Sequence, residues 1–256
     1  MTRARRPATL TGVDHVDVWD EEAARRYDAD TQAMSAPEVL GPTLDRLEAL
    51  AAGGRVLELA IGTGRVAVPL ADRGVQVCGI ESSEPMLARL RAKDGDRIPV
   101  VVGDMAHGRV PGTFSLVYLV FNTISNLVEQ AEQVACFANA AAHLGPGGRF
   151  VVELGVPDLQ RLPPDRSATV FSVEPGRIGL DTYDVLAQHQ VSHHFRFGDG
   201  TKARLFRSRH RYVWPAELDL MAQLGGLALE HRWADWSGAP FTAASGSHVS
   251  VYRLPG

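Results

Sequence analysis

Val56-Leu57-Glu58-Leu59-Ala60-Ile61-Gly62-Thr63-Gly64-Arg65 decides the fold. An apolar run ends in an acid, enters a glycine-rich turn and continues into a helix-forming stretch, Val66 to Asp72. That order describes a buried first strand feeding a tight turn, where a ligand can approach glycine Cα atoms closely. A second apolar run, Val75-Gln76-Val77-Cys78-Gly79-Ile80, ends in Glu81. A carboxylate at the tip of the neighbouring strand suits the two hydroxyls of a ribose, so the two segments together describe an adenosine-type site.

Gly62-Thr63-Gly64-Arg65-Val66-Ala67 formally satisfies the dinucleotide fingerprint G-x-G-x-x-G/A, a pattern many unrelated loops match. Glu58 argues against a dinucleotide, because a pyrophosphate seeks the helix N-terminus and is repelled by a nearby carboxylate. An acid there suits a cationic group such as an α-ammonium; the plainer reading makes Glu58 a loop cap.

Glu58-Leu59-Ala60-Ile61-Gly62-Thr63-Gly64 resembles the first motif of the class I S-adenosylmethionine-dependent methyltransferases, E/D-x-G-x-G-x-G, with Ala60 in place of the first glycine. Three further blocks follow in the family's order. Glu81-Ser82-Ser83-Glu84-Pro85-Met86-Leu87 resembles the acidic ribose-binding tip and the helix after it. Gly103-Asp104-Met105 resembles the segment whose acid meets the adenine amino group, and Leu144-Gly145-Pro146-Gly147-Gly148-Arg149-Phe150 the turn entering the fifth strand. The resemblance implies a Rossmann-like α/β fold, a mostly parallel sheet with an antiparallel last strand. It also implies S-adenosylmethionine as methyl donor, with S-adenosylhomocysteine as product. The donor-binding residues carried over are Tyr27, Glu58, Ala60, Gly62, Gly64, Arg65, Glu81, Ser82, Met86, Asp104, Met105 and Phe121. Tyr27 resembles the family's tyrosine that closes over the donor's carboxylate.

Composition sets bounds without choosing among enzymes. The chain has 256 residues, 45% hydrophobic and 22% charged, ordinary for a globular protein. A net charge of −4 gives no broad footprint for nucleic acid. No apolar run approaches membrane-spanning length, and the basic start Arg3-Ala4-Arg5-Arg6-Pro7 lacks the apolar core of a signal peptide. Cys78 and Cys136 have apolar neighbours and no metal-ligand spacing, which reads as two buried thiols in a reducing, cytoplasmic compartment. No metal is expected.

Outward from the glycine turn, the chain divides into four parts. Residues 1–50 form an N-terminal helical cap: acids precede bases in Asp20–Tyr27, Pro37 and Pro42 punctuate, and Leu44, Leu47 and Leu50 mark a stripe. Residues 51–156 form the donor-binding core, with strands at Arg55–Leu59, Gln76–Ile80, Val100–Val102, Phe114–Val120 and Arg149–Leu154 and helices between them. Residues 157–213 break that rhythm into short alternating runs separated by Pro175-Gly176 and Gly198-Asp199-Gly200, hairpin chemistry that reads as an inserted antiparallel β lid. Residues 214–256 complete the core with a helix begun by Pro215 and two strands, Leu227–Trp233 and His248–Arg253.

Methyl transfer from a sulfonium is an in-line displacement, so positioning and exclusion of water matter more than oxyanion stabilisation. A neutral amine needs no general base, whereas an alcohol or phenol usually does. Ligands in such sheets lie outside the carboxyl ends of the strands, which points to the strand-four tip, Phe121-Asn122-Thr123-Ile124-Ser125-Asn126. Phe121 offers a carbonyl to the donor's ammonium and a ring to the substrate; Asn122 and Asn126 offer hydrogen bonds to an acceptor, or else cap the next helix. In Val191-Ser192-His193-His194-Phe195, alternation sends His193 and His194 to opposite faces, so one faces the space beneath the lid. The catalytic candidates are therefore His193, His194 and Asn122. The acceptor-contact candidates are Asn122, Asn126, Tyr212 and Trp214, with Phe241 a further aromatic wall. Arg204, Arg207, Arg209 and Arg211 read as a solvated face, or as a contact for an anionic substrate. The expected activity is methyl transfer to an N or O atom of a small molecule, a lid of this kind resembling the amino-sugar N-methyltransferases of antibiotic pathways. A homodimer is left open. The alternatives are a non-catalytic S-adenosylmethionine-binding regulator and an NAD(P)-dependent oxidoreductase.

Overall fold

The computed structural model describes residues 19–159, 162–163, 166–198 and 203–256. The basic start Arg3–Pro7, Pro164 and the Asp199-Gly200 turn pair lie outside the described residues.

Two helices precede the sheet. α1 (Glu21–Asp30) starts at Asp20, whose carboxylate accepts from the Ala23 amide, with Glu21 and Glu22 in its first turn. α2 (Pro37–Ala51) has Pro37 in its first turn and runs on through Pro42. The sequence pattern places a break at Pro42; the helix continues there because Leu40, Leu44, Leu47 and Ala51 bury one continuous face. Several kcal/mol of apolar burial offset the one backbone bond and steric clash, about 3 kcal/mol, that a helical proline costs.

β1 (Val56–Leu59), α3 (Ala67–Asp72), β2 (Val77–Glu81), α4 (Glu84–Asp94), β3 (Val100–Val102), β4 (Phe114–Leu119), α5 (Gln130–His143) and β5 (Leu144–Gly155) follow in turn. The insertion supplies β6 (Ala168–Glu174), β7 (Arg177–Asp184), β8 (His189–Phe197) and β9 (Ala203–Arg211). α6 (Pro215–Leu224), β10 (Ala228–Trp233) and β11 (Ser247–Arg253) close the chain. The main sheet runs β10-β11-β5-β4-β1-β2-β3, parallel throughout except β11, which is antiparallel to both its neighbours. The central strands are apolar because helices cover both faces, and each face has its own buried cluster, one around Phe137 and Phe150, the other around Leu47 and Leu70. β5 begins five residues earlier than the sequence pattern suggests, and Gly147 takes a φ of 75° where Pro146-Gly147 turns the chain.

Strand order reverses between β1 and β4, the switch point that leaves a crevice beyond their carboxyl ends. The second sheet, β6-β7-β8-β9, is wholly antiparallel. α1 is tied to it by ion pairs from Arg196 to Asp30 (2.8 Å) and from Arg204 to Glu22 (3.2 Å). The insertion and the N-terminal helix therefore stand together over the crevice.

Candidate active site

The crevice is a cavity of about 1380 Å³. Ligand sites usually run to about 300–1,000 Å³, so this one has room for two molecules side by side. Its floor is the glycine turn. Glu81, at the tip of β2, accepts from the Gly62 amide and from the Ser83 amide, each at 2.7 Å. One carboxylate thus fixes the turn after β1 and the start of α4. Burial pushes the Glu81 carboxyl up, and these amide bonds oppose the shift.

The two glycines do different work. Gly62 has a φ of 59°, and a Cβ there would sit 3.5 Å from Met86 Cε, facing the cavity. Gly64, at φ 81°, is not on the cavity wall: a Cβ would fall 2.4 Å from Leu90 Cδ1 and 2.8 Å from Val68 Cγ2. Its glycine is required by packing against α4. Ala60, standing where the resembling motif has glycine, takes a φ of 52° and lines the cavity. A left-handed alanine costs on the order of 1–2 kcal/mol, which the surrounding turn sustains.

Glu58, the third residue of β1, is buried, and its Oε2 accepts from the Tyr118 hydroxyl at 2.7 Å. Desolvation pushes its carboxyl up to about 8; the Tyr118 bond and the nearby Arg65 guanidinium oppose the shift, and Glu81 adds to it. Arg65 also lies over the Phe121 ring, 5.3 Å from its centroid, and its charge opposes the rise that burial gives the Tyr27 phenol. Tyr27, Ser82, Met86, Asp104 and Met105 all reach the same wall. Asp104 caps its own turn through the Ala106 and His107 amides, 2.9 and 2.8 Å. α1 is held down where it meets the glycine turn: Asp28 Oδ1 accepts from Thr63 Oγ1 and Lys93 Nζ, both at 2.7 Å.

Beyond β4 the backbone is strained. Phe121 and Asn122 have φ of 58° and 59° in succession, at a cost of order 1–3 kcal/mol each. Glu153 holds them in place: its carboxylate accepts from the Phe121 amide at 2.8 Å and its carbonyl from the Asn122 amide at 3.2 Å. Asn122 Oδ1 accepts from the Gly155 amide at 2.6 Å, so this side chain ties the β4 tip to β5. Asn126 lines the cavity and does not cap α5, whose N-cap position is held by Glu129.

The roof is the inner face of the inserted sheet. Register aligns Asp181 with Ser192 and Ser192 with Ser208 across β7, β8 and β9; the next row is Tyr183, Gln190 and His210. His194 lies on the cavity wall between the rings of Phe171 and Phe206, centroids at 5.4 and 5.8 Å. Tyr212 is there too, its ring edge against Tyr183. His193 points the other way, Nε2 3.1 Å from Thr182 Oγ1, and Trp214 starts α6 away from the cavity. Phe241 packs on His248, also outside it. The arginine run divides. Arg211 is buried, not solvated, and bonds Glu217 (2.6 Å), Gln133 (2.6 Å) and Gln188 (2.8 Å) at the foot of the insertion.

Sequence reasoning missed the polar row Asp181, Ser192 and Ser208, and His210 in the row beside it. The signal was present: counting by two from His194 reaches Ser192, but the partner strands enter only through the register. Among the described residues no group of three or more His, Cys, Asp or Glu is placed to hold a metal ion. No helix among them is long and apolar enough to cross a membrane. Both cysteines are buried free thiols.

An α/β sheet of this order, with a glycine turn, an acid at the next strand tip and a polar roof, defines an adenosine-cofactor site joined to a second compartment. A family model described as a methyltransferase domain matches residues 56–148. The CcbJ methyltransferase from Streptomyces caelestis is 43% identical and superposes with a TM-score of 0.76, over 84% of this chain and 89% of that one. A cypemycin N-terminal methyltransferase from a Streptomyces species is 29% identical over 231 residues, 89% of this chain and 94% of that protein. A dTDP-3-amino-3,6-dideoxy-alpha-D-glucopyranose N,N-dimethyltransferase from Streptomyces fradiae is 39% identical over 98 residues, 38% of each chain. The chain belongs to the class I S-adenosylmethionine-dependent methyltransferases. S-adenosylmethionine is its methyl donor.

Proposed function

We propose that this methyltransferase moves the donor's methyl group to a nitrogen or oxygen atom of a small polar molecule enclosed between the glycine turn and the inserted sheet, nitrogen being the first choice. The carrying observation is the single cavity of about 1380 Å³ that joins the Glu58–Glu81 floor to the hydroxyl- and imidazole-bearing roof. The nitrogen preference is supported by the names of two relatives, an N-terminal methyltransferase and an N,N-dimethyltransferase.

The residues present fit the donor. Glu58 is a buried acid with a neutral hydroxyl partner, suited to an ammonium; Gly62 leaves bare backbone beside Met86; Glu81 retains lone pairs for ribose hydroxyls after accepting two amides. Tyr27 and Arg65 face the donor's carboxylate, Asp104 and Met105 its adenine, and the Phe121 carbonyl shares the ammonium with Glu58. S-adenosylmethionine supplies an electrophilic methyl group on a cationic sulfur. The chain's contribution is to hold the acceptor atom in line with it and keep water out. Residues 157–213 form the acceptor lid, with His194, Asn126 and Tyr212 as contacts, and Asn122 acts by holding the β4 tip. The setting is a cytoplasmic pathway of secondary metabolism, and a homodimer is compatible with it.

The test is a mass-shift assay with labelled S-adenosylmethionine against three acceptor pools: amino sugars, peptides with free N-terminal amines, and hydroxyl analogues of both. Methylation in an amine pool supports the reading, and transfer only to hydroxyls corrects the atom. Tight binding of S-adenosylhomocysteine with no transfer to any pool points instead to a regulator without catalysis.

A further inference from the structure

One histidine in the roof bridges the two halves of the cavity. His210, on β9, is half-buried on the cavity wall. Its Nδ1 lies 3.4 Å from Ser125 Oγ, on the turn that follows β4, and its Nε2 lies 2.8 Å from Ser208 Oγ. Ser125 has one hydroxyl proton and gives it to the Asn122 carbonyl at 2.7 Å. The proton between Ser125 and His210 therefore belongs to Nδ1, which leaves Nε2 as a bare lone pair. Ser208 must then donate to Nε2, and its own oxygen lone pairs remain free to accept from a group inside the cavity, which Ser208 also lines. The ionisable neighbours are Asp181 on β7 and His194 on β8. Desolvation, with His194 adding to it and Asp181 opposing, holds the His210 imidazole below its usual range, so it is neutral at neutral pH.

We propose that Ser208 and His210 are the proton acceptor of the methyl-transfer site, Ser208 taking the hydrogen bond from the acceptor's N–H or O–H and His210 receiving the proton through it. The proposal rests on the small-molecule acceptor reading above. As the acceptor's lone pair forms its bond to the methyl carbon, the carbon–sulfur bond breaks and its electron pair passes to sulfur. The acceptor's proton moves to Ser208 Oγ while Ser208 gives its own to Nε2. Charge balances: a sulfonium is consumed and an imidazolium formed, which later releases its proton to solvent. Ser208 is the residue that touches substrate; His210 acts through it. Because Ser125 and Asn122 belong to the turn at the β4 tip, the same chain of bonds sets the imidazole's position against the donor half of the cavity.

The first measurement needs no acceptor. Nitrogen-15 histidine spectra of the S-adenosylhomocysteine complex, assigned by the resonance lost in His210→Gln, report which ring nitrogen carries the proton. A protonated Nδ1 with a bare Nε2, and an Nε2 resonance that moves in Ser208→Ala, are expected. A protonated Nε2 overturns the relay, since that nitrogen then has nothing to accept with. The second measurement is single-turnover transfer to dTDP-3-amino-3,6-dideoxyglucose or to whichever pool member the wild type methylates. Ser208→Ala and His210→Gln are expected to lose about a hundredfold or more, because an amino sugar arrives as an ammonium that must give up a proton to free its lone pair, and a hydroxyl gives up its proton as the bond forms. Their S-adenosylhomocysteine affinity stays within twofold, and Ser208→Thr, which keeps the hydroxyl, retains the rate. The wild-type rate falls as pH drops through the His210 pKa, a limb absent from His210→Gln. Full rates in both variants overturn the proposal. A wild type that methylates no probe counts against the acceptor class alone, and the spectra still decide the relay.

Discussion

Glu58 and Tyr118 face each other across the neighbouring strands β1 and β4, carboxylate oxygen 2.7 Å from phenol oxygen, both buried. No ion pair to Glu58 occurs among the described residues, and desolvation holds its carboxyl near 8. At pH 7 the group therefore binds a proton in the free protein. An ammonium bound beside it favours the carboxylate, so donor binding is linked to proton release. Because the free-state pKa is raised, affinity should fall as pH drops below about 8, by up to tenfold per pH unit. Calorimetry of S-adenosylhomocysteine binding at pH 7, in buffers of different ionisation enthalpy, should show close to one proton released. Glu58→Gln should abolish the release. Equal heats in all buffers with the wild type would remove the ammonium from Glu58.

Glu81 ties two amides while facing the cavity, so removing it has two consequences. Glu81→Ala loses charge-assisted bonds to ribose, worth about 1.5–3 kcal/mol each, and also frees the Gly62 and Ser83 amides from the bonds that shape the turn. S-adenosylhomocysteine affinity should drop more than a hundredfold in a protein that still folds. Asp104→Ala should lose less, since one adenine contact is at stake and Asp104 Oδ1 already accepts from the local Ala106 and His107 amides. An unchanged dissociation constant in Glu81→Ala would take the ribose away from this strand tip.

The two glycines of the turn should separate in experiment. Gly62→Val places branched carbon where the ligand must pass, beside Met86 Cε, and should abolish donor binding with native circular dichroism retained. Gly64→Ala drives a Cβ into Leu90 and Val68 from a φ of 81°, so its main effect should be on stability, roughly 1–3 kcal/mol or more. A Gly64→Ala protein with wild-type urea midpoint and no donor affinity would reverse the two roles.

What sequence revealed here was what lies close along the chain. The glycine turn, the acid at each strand tip and the switch from βαβ rhythm to hairpins are local patterns, and the two sheets follow them. Pro42 misled because a local breaker was outweighed by the burial of Leu40, Leu44, Leu47 and Ala51, a tertiary effect. The roof was half legible: alternation separates His193 from His194, but only the β8–β9 register brings Ser192 to Ser208 and Gln190 to His210. Arg211 looks like part of a solvated face in the sequence because its partners, Gln133, Gln188 and Glu217, sit on three other segments. Contacts made across long sequence separations leave no period to read.

Arg211 also carries a stability prediction. Burial raises the Glu217 carboxyl, and the bonds from Arg211, Gln188 and Gln130 outweigh that and hold it below the usual carboxylate range. A depressed folded-state pKa contributes stability above the unfolded value and loses it as pH falls through the folded one. Arg211→Ala leaves Glu217 and Gln133 without their central partner and should cost about 3–5 kcal/mol. Urea unfolding at pH 7 measures it. The difference from wild type should shrink as pH falls below the usual carboxylate range and Glu217 takes up its proton. A pH-independent difference would make the loss one of packing and not of charge.

The neighbouring histidines of β8 give the sharpest test of the lid. His194 lies on the cavity wall between Phe171 and Phe206, while His193 faces the opposite side and bonds Thr182. Burial pushes both imidazoles down, so charge does not distinguish them; only direction does. His194→Ala should raise the acceptor's KM several-fold or lower turnover, because it removes a ring from the enclosed wall, and leave S-adenosylhomocysteine affinity untouched. His193→Ala should alter thermal stability modestly and kinetics little. Tyr212→Phe and Asn126→Ala, both on the wall, should follow His194, and Trp214→Ala, off it, should follow His193. If the off-wall pair changes the acceptor's KM and the wall residues do not, the acceptor is not read from beneath this sheet, and its contacts belong to the β4 tip and α1.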